Sequence, residues 1–295
     1  AGIRTTDRAG FVVLTIEIVC IAAFCIAAAL SPPLVAVEER PPMTAWALLH
    51  GASLLALSFL GFDAITTLSE EAKNPRRDVP RAVVTTCFIA GIMFCGVCAI
   101  AFRAYPVTHF DIPEIAAYTM AEAIAGQRMA FLVTIALLVG AIASTLASHA
   151  GAARLLFGMS RATGLAKPLS RIHATRRTPQ VAIIVVAVIG LSAFGLSLED
   201  SISFVNFGAL ASFLVVHVSV ISHFVWRRRA THGAALLWYL LLPILGILAT
   251  GALLWGLNTR AKVAGIVWLA LGLFLARRVK SEVHDPLELD DDSSP

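Results

Sequence analysis

The sequence predicts an all-α, polytopic membrane helical bundle with about eight transmembrane helices. Of its 295 residues, 58% are hydrophobic and only 14% are charged, and the mean hydropathy is +0.82. A soluble domain does not bury so large an apolar share, whereas a lipid bilayer accommodates it. The apolar residues also form eight runs, each close to the roughly 20 residues that an α-helix needs to cross a bilayer.

The eight runs are taken in order along the chain. They cover residues 10–30, 45–67, 79–102, 128–151, 179–197, 201–226, 234–257 and 261–277. The first run lacks a small-residue cleavage site, so we expect it to remain as a transmembrane helix rather than to be removed as a signal peptide. The loop EEAKNPRRDVP separates the second and third runs, and its prolines are predicted to end one helix and begin the next. The fourth run is expected to continue as a helix through Arg154, and the basic segment Arg227–Arg229 separates the sixth run from the seventh.

The distribution of basic residues predicts the orientation of the chain. One set of termini and loops holds 18 of the 23 Lys and Arg residues, and the alternate loops hold 5. Because cytoplasmic loops are enriched in Lys and Arg, both ends of the chain are predicted to be cytoplasmic. Residues 1–280 are predicted to form a transmembrane domain, and residues 281–295 an acidic, disordered cytoplasmic tail.

Several functional classes are excluded by the sequence. The net charge of +4 and the isoelectric point near 9.0 follow from the membrane topology, so no nucleic-acid partner is expected. The sequence contains no GxSxG, HExxH or GxxxxGK[ST] motif, so we expect neither an enzyme nor a cofactor. The eight histidines lack metal-ligand spacing, and the five cysteines lie in the first and third apolar runs, so no metal site is predicted.

Polar residues inside the apolar runs are the candidates for function. They are Glu17, Asp63, Ser144, Thr145, Ser148, His149, Asn206 and His217. Each has a structural alternative, which is a hydrogen bond between packed helices. The two acids are the strongest candidates, because a carboxylate in the centre of a membrane helix costs about 2.5–3.5 kcal/mol on insertion scales.

The segment around Asp63 combines an acid with a glycine at the end of an apolar run. Gly61 lies two residues before Asp63, and the basic loop follows shortly afterwards. Glycine allows a helix to unwind, and an unwound helix at membrane depth exposes backbone carbonyls and amides to a ligand. The sequence therefore predicts a broken helix and a binding site at this point.

Four motifs, in order, resemble the amino acid-polyamine-organocation permeases. They are GFDAITTLSEEAKNPRRDVPRA, STLASHAGAARLLFGMSRATGLAKPLSRIH, the RTPQ turn, and FVNFGALASF. Within that family, FLGFDAITTLSEE, IPEIAAY, ASHAGAARLLFGMSR and VISHF are most similar to the bacterial putrescine importers. The resemblance extends from about Gly2 to Arg229, and the last two runs are less specific.

The resemblance implies a leucine-transporter-type fold in a bacterial inner membrane. Members of the family have twelve transmembrane helices with two inverted five-helix repeats, and this chain is similar to the fifth through the twelfth. The first four helices are expected to be missing, either as an N-terminal segment or as a partner chain. The family's first helix supplies half of the substrate site, so this chain is expected to hold the other half.

The resemblance also assigns roles to individual residues. It places the substrate at the broken helix formed by Ser58, Phe59, Leu60, Gly61, Phe62 and Asp63, together with Asn206. Freed carbonyls, the Asp63 charge and the aromatic rings suit an ammonium group. Proton or ion coupling is expected to involve Glu17, Asp63, Ser144, Thr145 and Ser148, and Glu17 stands where some proton-coupled relatives have a lysine.

Three functions remain open from the sequence. The first is a secondary active transporter that imports putrescine or a related amine by proton symport and alternating access. The second is a permease or exchanger for cationic or neutral amino acids in the same family. The third, from a different class, is a non-transporting membrane fragment or a partner subunit that requires another chain.

Overall fold

Helices account for all regular secondary structure in the residues that the structure describes. The computed structural model describes residues 3–35, 43–107, 109–163, 167–173, 178–227 and 236–278. The α-helices in these residues are α1 (Ile3–Leu30), α2 (Ala45–Leu55), α3 (Pro75–Ala104), α4 (Ala116–Thr163), α5 (Gln180–Leu191), α6 (Leu198–Ile221), α7 (Leu242–Gly256) and α8 (Thr259–Arg278). The all-α prediction is confirmed, while the acidic tail predicted at 281–295 lies outside the described residues.

Short segments of tighter or wider helix extend several of these elements. The 3₁₀ segments are Ala56–Phe59, Phe62–Glu71, Pro113–Ile115, Lys167–Ser170 and Ser192–Gly195. The π segments are Ser222–Arg227, which continues α6, and Leu237–Leu241, which leads into α7. Such segments inside a long helix mark places where the regular hydrogen-bond ladder is interrupted.

Six helical segments of the described residues are long and apolar enough to cross a membrane. They are Gly10–Leu30, Ala45–Thr66, Pro75–Ala104, Pro113–Arg161, Leu198–Arg227 and Leu237–Gly256. The fifth predicted span corresponds to the shorter apolar helix Gln180–Gly195, and the eighth corresponds to α8, which has 20 residues and basic residues near both ends. Each of the eight predicted runs therefore contains a helix in its described residues, and six of these helical segments are long and apolar enough to cross a membrane.

Two helices differ from the prediction at their N-terminal ends. The two prolines of the loop were predicted to end one helix and begin the next, but Pro75 begins α3 and Pro80 lies inside it. Pro80 is the sixth residue of α3, beyond the first turn, so it removes one backbone N–H from the hydrogen-bond ladder near the start of the helix. The fourth run was predicted to begin at residue 128, whereas α4 begins at Ala116 and kinks at Gly126, where φ is +80°.

The described chain divides into two compact units. The first unit contains Ala1–Val139 and Ser197–Gly265. Within it, α6 packs on α7, α2 packs on both, and α1 packs on α3. Phe207, Leu210 and Leu257 form its buried apolar cluster. Arg103 of α3 donates to the carbonyls of Ala28 and Ser31 at 3.3 and 3.2 Å, which caps the C-terminal end of α1.

The second unit contains Gly140–Leu196 and Ile266–Pro295. Here the ring of His149, on α4, lies with Nε2 at 3.1 Å from the carbonyl oxygen of Ile183, on α5. Ala153 and Ala182 are buried, and their small side chains allow close helix packing. The contact supports the structural alternative for His149, which is a hydrogen bond between packed helices.

Candidate functional site

The second predicted span is a broken helix. Thr44 caps α2 by accepting a hydrogen bond from the Ala47 N–H at 3.1 Å, and α2 then runs to Leu55. A 3₁₀ turn follows, and Leu60 adopts an extended conformation with ψ of 141°. At Gly61 φ is +112°, after which the 3₁₀ segment Phe62–Glu71 begins. The interruption predicted from Gly61 is thus present, and we call Leu60–Gly61 the helix break.

Gly61 is required by the backbone rather than by close packing. A φ of +112° is a conformation that residues with a Cβ rarely adopt. No atom lies within 4 Å of the position that a Cβ would occupy, so space does not restrict this residue. The helix break therefore depends on the conformational freedom of glycine at one position.

Asp63 lies directly after the helix break and is exposed. Its Oδ1 accepts a hydrogen bond from the Gly61 N–H at 3.2 Å, and Thr66 Oγ1 donates to the Asp63 carbonyl at 2.6 Å. Among the residues whose side chains are described, no basic group forms an ion pair with Asp63. Its negative charge is therefore accessible to a cationic ligand.

Two aromatic rings flank the helix break and contact different helices. Phe59 packs edge-to-face on Phe94 of α3, with ring centroids 5.6 Å apart. Phe62 packs on Phe213 of α6, with ring centroids 5.4 Å apart. Phe59 stays 39% exposed, so part of its ring can contact a ligand. The break thus places an aromatic ring and a carboxylate within five residues of each other.

The other predicted residues of this segment differ in accessibility. Ser58 is exposed and Leu60 is half-buried, so both line the break at its surface. Asn206, by contrast, is fully buried, and its Nδ2 donates to the carbonyls of Ser53 and Leu54 at 2.8 and 3.3 Å. This is the hydrogen bond between packed helices that was the structural alternative, and substrate contact by Asn206 stays a prediction.

Glu17 lies in a different part of the first unit. It is half-buried and lines a cavity of about 930 Å³ between α1, α3 and the part of α4 before Val139. Apart from Glu17, Cys20 and Cys98, the lining of this cavity is apolar. Glu17 is thus the one carboxylate among the residues that line this cavity.

The Ser/Thr group predicted to assist in coupling lies in the second unit. Ser144, Thr145 and Ser148 are on α4 after Gly140, and all three are exposed. Their participation in ion or proton coupling stays a prediction, as does that of Glu17 and Asp63. In the described residues, no group of three or more His, Cys, Asp or Glu side chains is arranged to hold a metal ion.

A polar cluster at the N-terminal end of α6 was not predicted. Asp200 is 9% exposed, and its carboxylate accepts from Asn258 Nδ2 at 2.9 Å and pairs with Arg260 at 3.2 Å. His50 Nε2 lies 3.9 Å from Glu199 Oε1, and His50 Nδ1 lies 2.8 Å from the Gly256 carbonyl oxygen. Glu199 and Asp200 lie between the fifth and sixth apolar runs of the sequence, but nothing in the local pattern pointed to their partners on three other segments.

Comparison with known proteins identifies the family. The family described as Amino acid permease matches residues 2–267 of the chain. The chain belongs to the amino acid permease family. Its helical architecture and membrane-length segments agree with this assignment, so the protein is a multi-pass membrane transporter-family protein and not an enzyme.

Individual relatives of this amino acid permease differ in what they transport. The low-affinity putrescine importer PlaP of Escherichia coli is 34% identical over 244 residues, which is 81% of this chain and 54% of PlaP. The branched-chain amino acid permease BcaP of Bacillus subtilis is 25% identical over 295 residues, 96% of this chain and 62% of BcaP. The vacuolar cationic amino acid transporter 8 of Arabidopsis thaliana is 28% identical over 245 residues, 79% of this chain and 41% of that protein. The chain spans about half the length of the curated relatives it matches.

Proposed function

We propose that this amino acid permease imports putrescine or a related amine across a bacterial inner membrane by proton symport and alternating access. The observation that carries the proposal is the exposed Asp63 carboxylate at the helix break, without a basic ion-pair partner among the described side chains. An ammonium group gains from a carboxylate, from backbone carbonyls and from the face of an aromatic ring. A diamine carries two such groups and no carboxylate of its own.

The similarity to a relative named as a putrescine importer supports this substrate. That relative is 34% identical, compared with 25% for the branched-chain amino acid permease and 28% for the cationic amino acid transporter. The latter two are the reason to keep a second candidate, which is uptake or exchange of neutral or cationic amino acids.

Uptake of labelled putrescine into proteoliposomes tests the proposal. The polypeptide is purified from its native membrane and reconstituted, and uptake is measured with the interior alkaline and with no pH gradient. We expect accumulation that depends on the gradient and is inhibited by unlabelled putrescine. Inhibition by leucine or arginine at lower concentration than by putrescine would favour the amino acid permease. Uptake that is unaffected by the gradient would contradict proton symport.

The proposal also includes further transmembrane helices and a defined orientation. The substrate site is completed by about four helices from an N-terminal segment or a partner chain, and both ends of this chain are cytoplasmic. The charge asymmetry of the loops supports the orientation, because 18 of 23 basic residues lie on one side. A fluorescent protein fused to the C-terminus tests it, since fluorescence is expected only if this end stays in the cytoplasm.

A further inference from the structure

Polar side chains are prominent among the fully buried residues of α2 and α6. Of the four largest side chains that are fully buried in the described residues, three are polar: Ser53, Ser203 and Asn206. Ser53 lies on α2, and its hydroxyl is 2.7 Å from the Leu49 carbonyl and 2.8 Å from the Leu253 carbonyl. Buried polar groups are expected to have hydrogen-bond partners, so each of the three requires an account.

The amide of Asn206 can adopt only one orientation. Its Nδ2 contacts the carbonyl oxygens of Ser53 and Leu54, and both of these groups only accept hydrogen bonds. A flip of the amide would place Oδ1 against two acceptors, which is repulsive. The NH₂ group must therefore face α2, and Oδ1 must face away from those carbonyls.

Two buried side-chain oxygens on α6 lack a hydrogen-bond partner among the described residues. Neither Asn206 Oδ1 nor Ser203 Oγ has a hydrogen-bond partner among the described residues, although both residues are 0% exposed. Residues three apart on a helix are neighbours, with Cβ atoms about 5–6 Å apart. The two oxygens do not bond to each other directly, but side chains at this spacing are close enough for one water molecule to contact both.

We propose that Ser203 Oγ and Asn206 Oδ1 form a buried site that binds one water molecule. The water donates one hydrogen to Asn206 Oδ1 and forms its second hydrogen bond with the Ser203 hydroxyl, which can donate or accept. In this way α6 satisfies its own polar groups while the Asn206 NH₂ group holds the last turn of α2. That turn ends one 3₁₀ turn before the helix break, so the site stabilises the upstream side of the break.

The inference goes beyond the proposed function and does not depend on it. Both of its residues are fully buried, whereas Asp63 is exposed. It concerns the stability of the α2–α6 contact, so it can be correct whether the protein carries putrescine, an amino acid or neither.

Substitution of Ser203 by alanine tests the site by the sign of its effect on thermal stability. If Ser203 Oγ is truly without a partner, removal of a buried unsatisfied hydroxyl raises the melting temperature. If a water molecule bridges Ser203 and Asn206, the substitution removes one of its partners and lowers the melting temperature, by roughly 2–4 °C for a chain of this size. We expect the decrease, and an increase would overturn the proposal.

Ser212→Ala is the matched control on the same helix. The Ser212 hydroxyl is exposed and donates to the Gly208 carbonyl at 2.9 Å within α6. The change from serine to alanine is identical, so the control removes the general gain in helix propensity from the comparison. The melting temperature of Ser203→Ala is therefore read relative to Ser212→Ala.

Measurements on the unsubstituted protein keep the test decisive if Ser203→Ala does not fold. A high-resolution structure in a lipid nanodisc is expected to show one density peak within hydrogen-bond distance of both oxygens, and a dry contact would overturn the proposal. The melting temperature is also expected to be the same in sodium and choline chloride at equal ionic strength. A higher melting temperature in sodium chloride than in choline chloride would indicate a bound cation instead of a water molecule, and would overturn the proposal.

Discussion

At the scale of single residues, the helix break places one charge where a cation can reach it. The Asp63 carboxylate is held by the Gly61 N–H, which fixes its position without neutralising it. The exposed part of the Phe59 ring lies four residues earlier in the same segment. Together they can bind an ammonium group through a charge and a ring face, which neither residue provides alone.

Asp63→Asn is expected to weaken amine uptake strongly. The substitution keeps the size and the acceptor oxygen but removes the charge, and a charge-assisted hydrogen bond contributes about 1.5–3 kcal/mol. The expected result is an increase of about 10- to 100-fold in the KM for putrescine. The control is Asp111→Asn, which removes the same charge from an exposed loop residue. Equal KM values for Asp63→Asn and the unsubstituted protein would remove Asp63 from the site.

Glu17→Gln is expected to separate accumulation from exchange. Glutamine has the shape of protonated glutamate but cannot release a proton into the cavity between α1, α3 and α4. We expect proteoliposomes to lose uptake driven by a pH gradient and to retain exchange of internal for external substrate. Glu114→Gln, at an exposed acid, is the control. Gradient-driven accumulation that persists in Glu17→Gln would rule out a coupling role.

At the scale of the elements, the two sides of the helix break are held by different helices. The upstream side is joined to α6 and α7 by hydrogen bonds from Asn206, Ser53 and His50. The downstream segment Phe62–Glu71 packs on α3, although Phe62 also contacts α6. The upstream side of the break is thus held by hydrogen bonds, and the downstream side is held mainly by packing.

Gly61→Ala is expected to destabilise the break through backbone strain, without a clash against any other described segment. An alanine at φ of +112° is strained by about 1–2 kcal/mol, because its Cβ approaches the adjoining carbonyl oxygen. Gly51→Ala, inside α2 and with open space around its Cβ position, is the control and is expected to be neutral or stabilising. Thermal unfolding in detergent compares the two. A melting temperature for Gly61→Ala at or above that of Gly51→Ala would show that the break does not require glycine.

Gly256 lets α7 approach α2 closely. A Cβ on Gly256 would clash with the Ser53 hydroxyl and would lie only 2.9 Å from the Leu49 carbonyl oxygen. We expect Gly256→Ala to destabilise the protein by about 1–3 kcal/mol, because the backbones must separate. Gly251→Ala on the same helix has no atom within 4 Å and is the matched control. If both variants unfold at the same temperature, the close contact of α7 with α2 contributes little.

The sequence predicted the helices and the break because both depend on local chemistry. Apolar runs of membrane length predict helices, and a glycine next to an acid predicts an interruption that the structure contains at Gly61. The partners of Asn206 and Asp200 could not be predicted, because they lie 152 or 153 and 58 or 60 positions away in the chain. The apolar pattern also did not predict that α4 begins at Ala116. The part of α4 before Gly126 is a separate helical segment, which joins the apolar run across a kink at Gly126.

At the scale of the whole molecule, the transport proposal is tested by the mass of the polypeptide that is present in the native membrane. The chain has a mass of 31.3 kDa and covers 54% of the putrescine importer it resembles. If about four further helices complete the substrate site within the same polypeptide, they add roughly 15 kDa at bilayer-crossing length. We therefore expect mass spectrometry of the product purified from its native membrane to give a mass near 46 kDa, roughly the sum of these values.

A product of 31.3 kDa that co-purifies with a second membrane protein would assign these further helices to a partner chain. A product of that mass without a partner, inactive in uptake, would contradict the transport proposal, because the Asp63 side of the site would then have no opposing side.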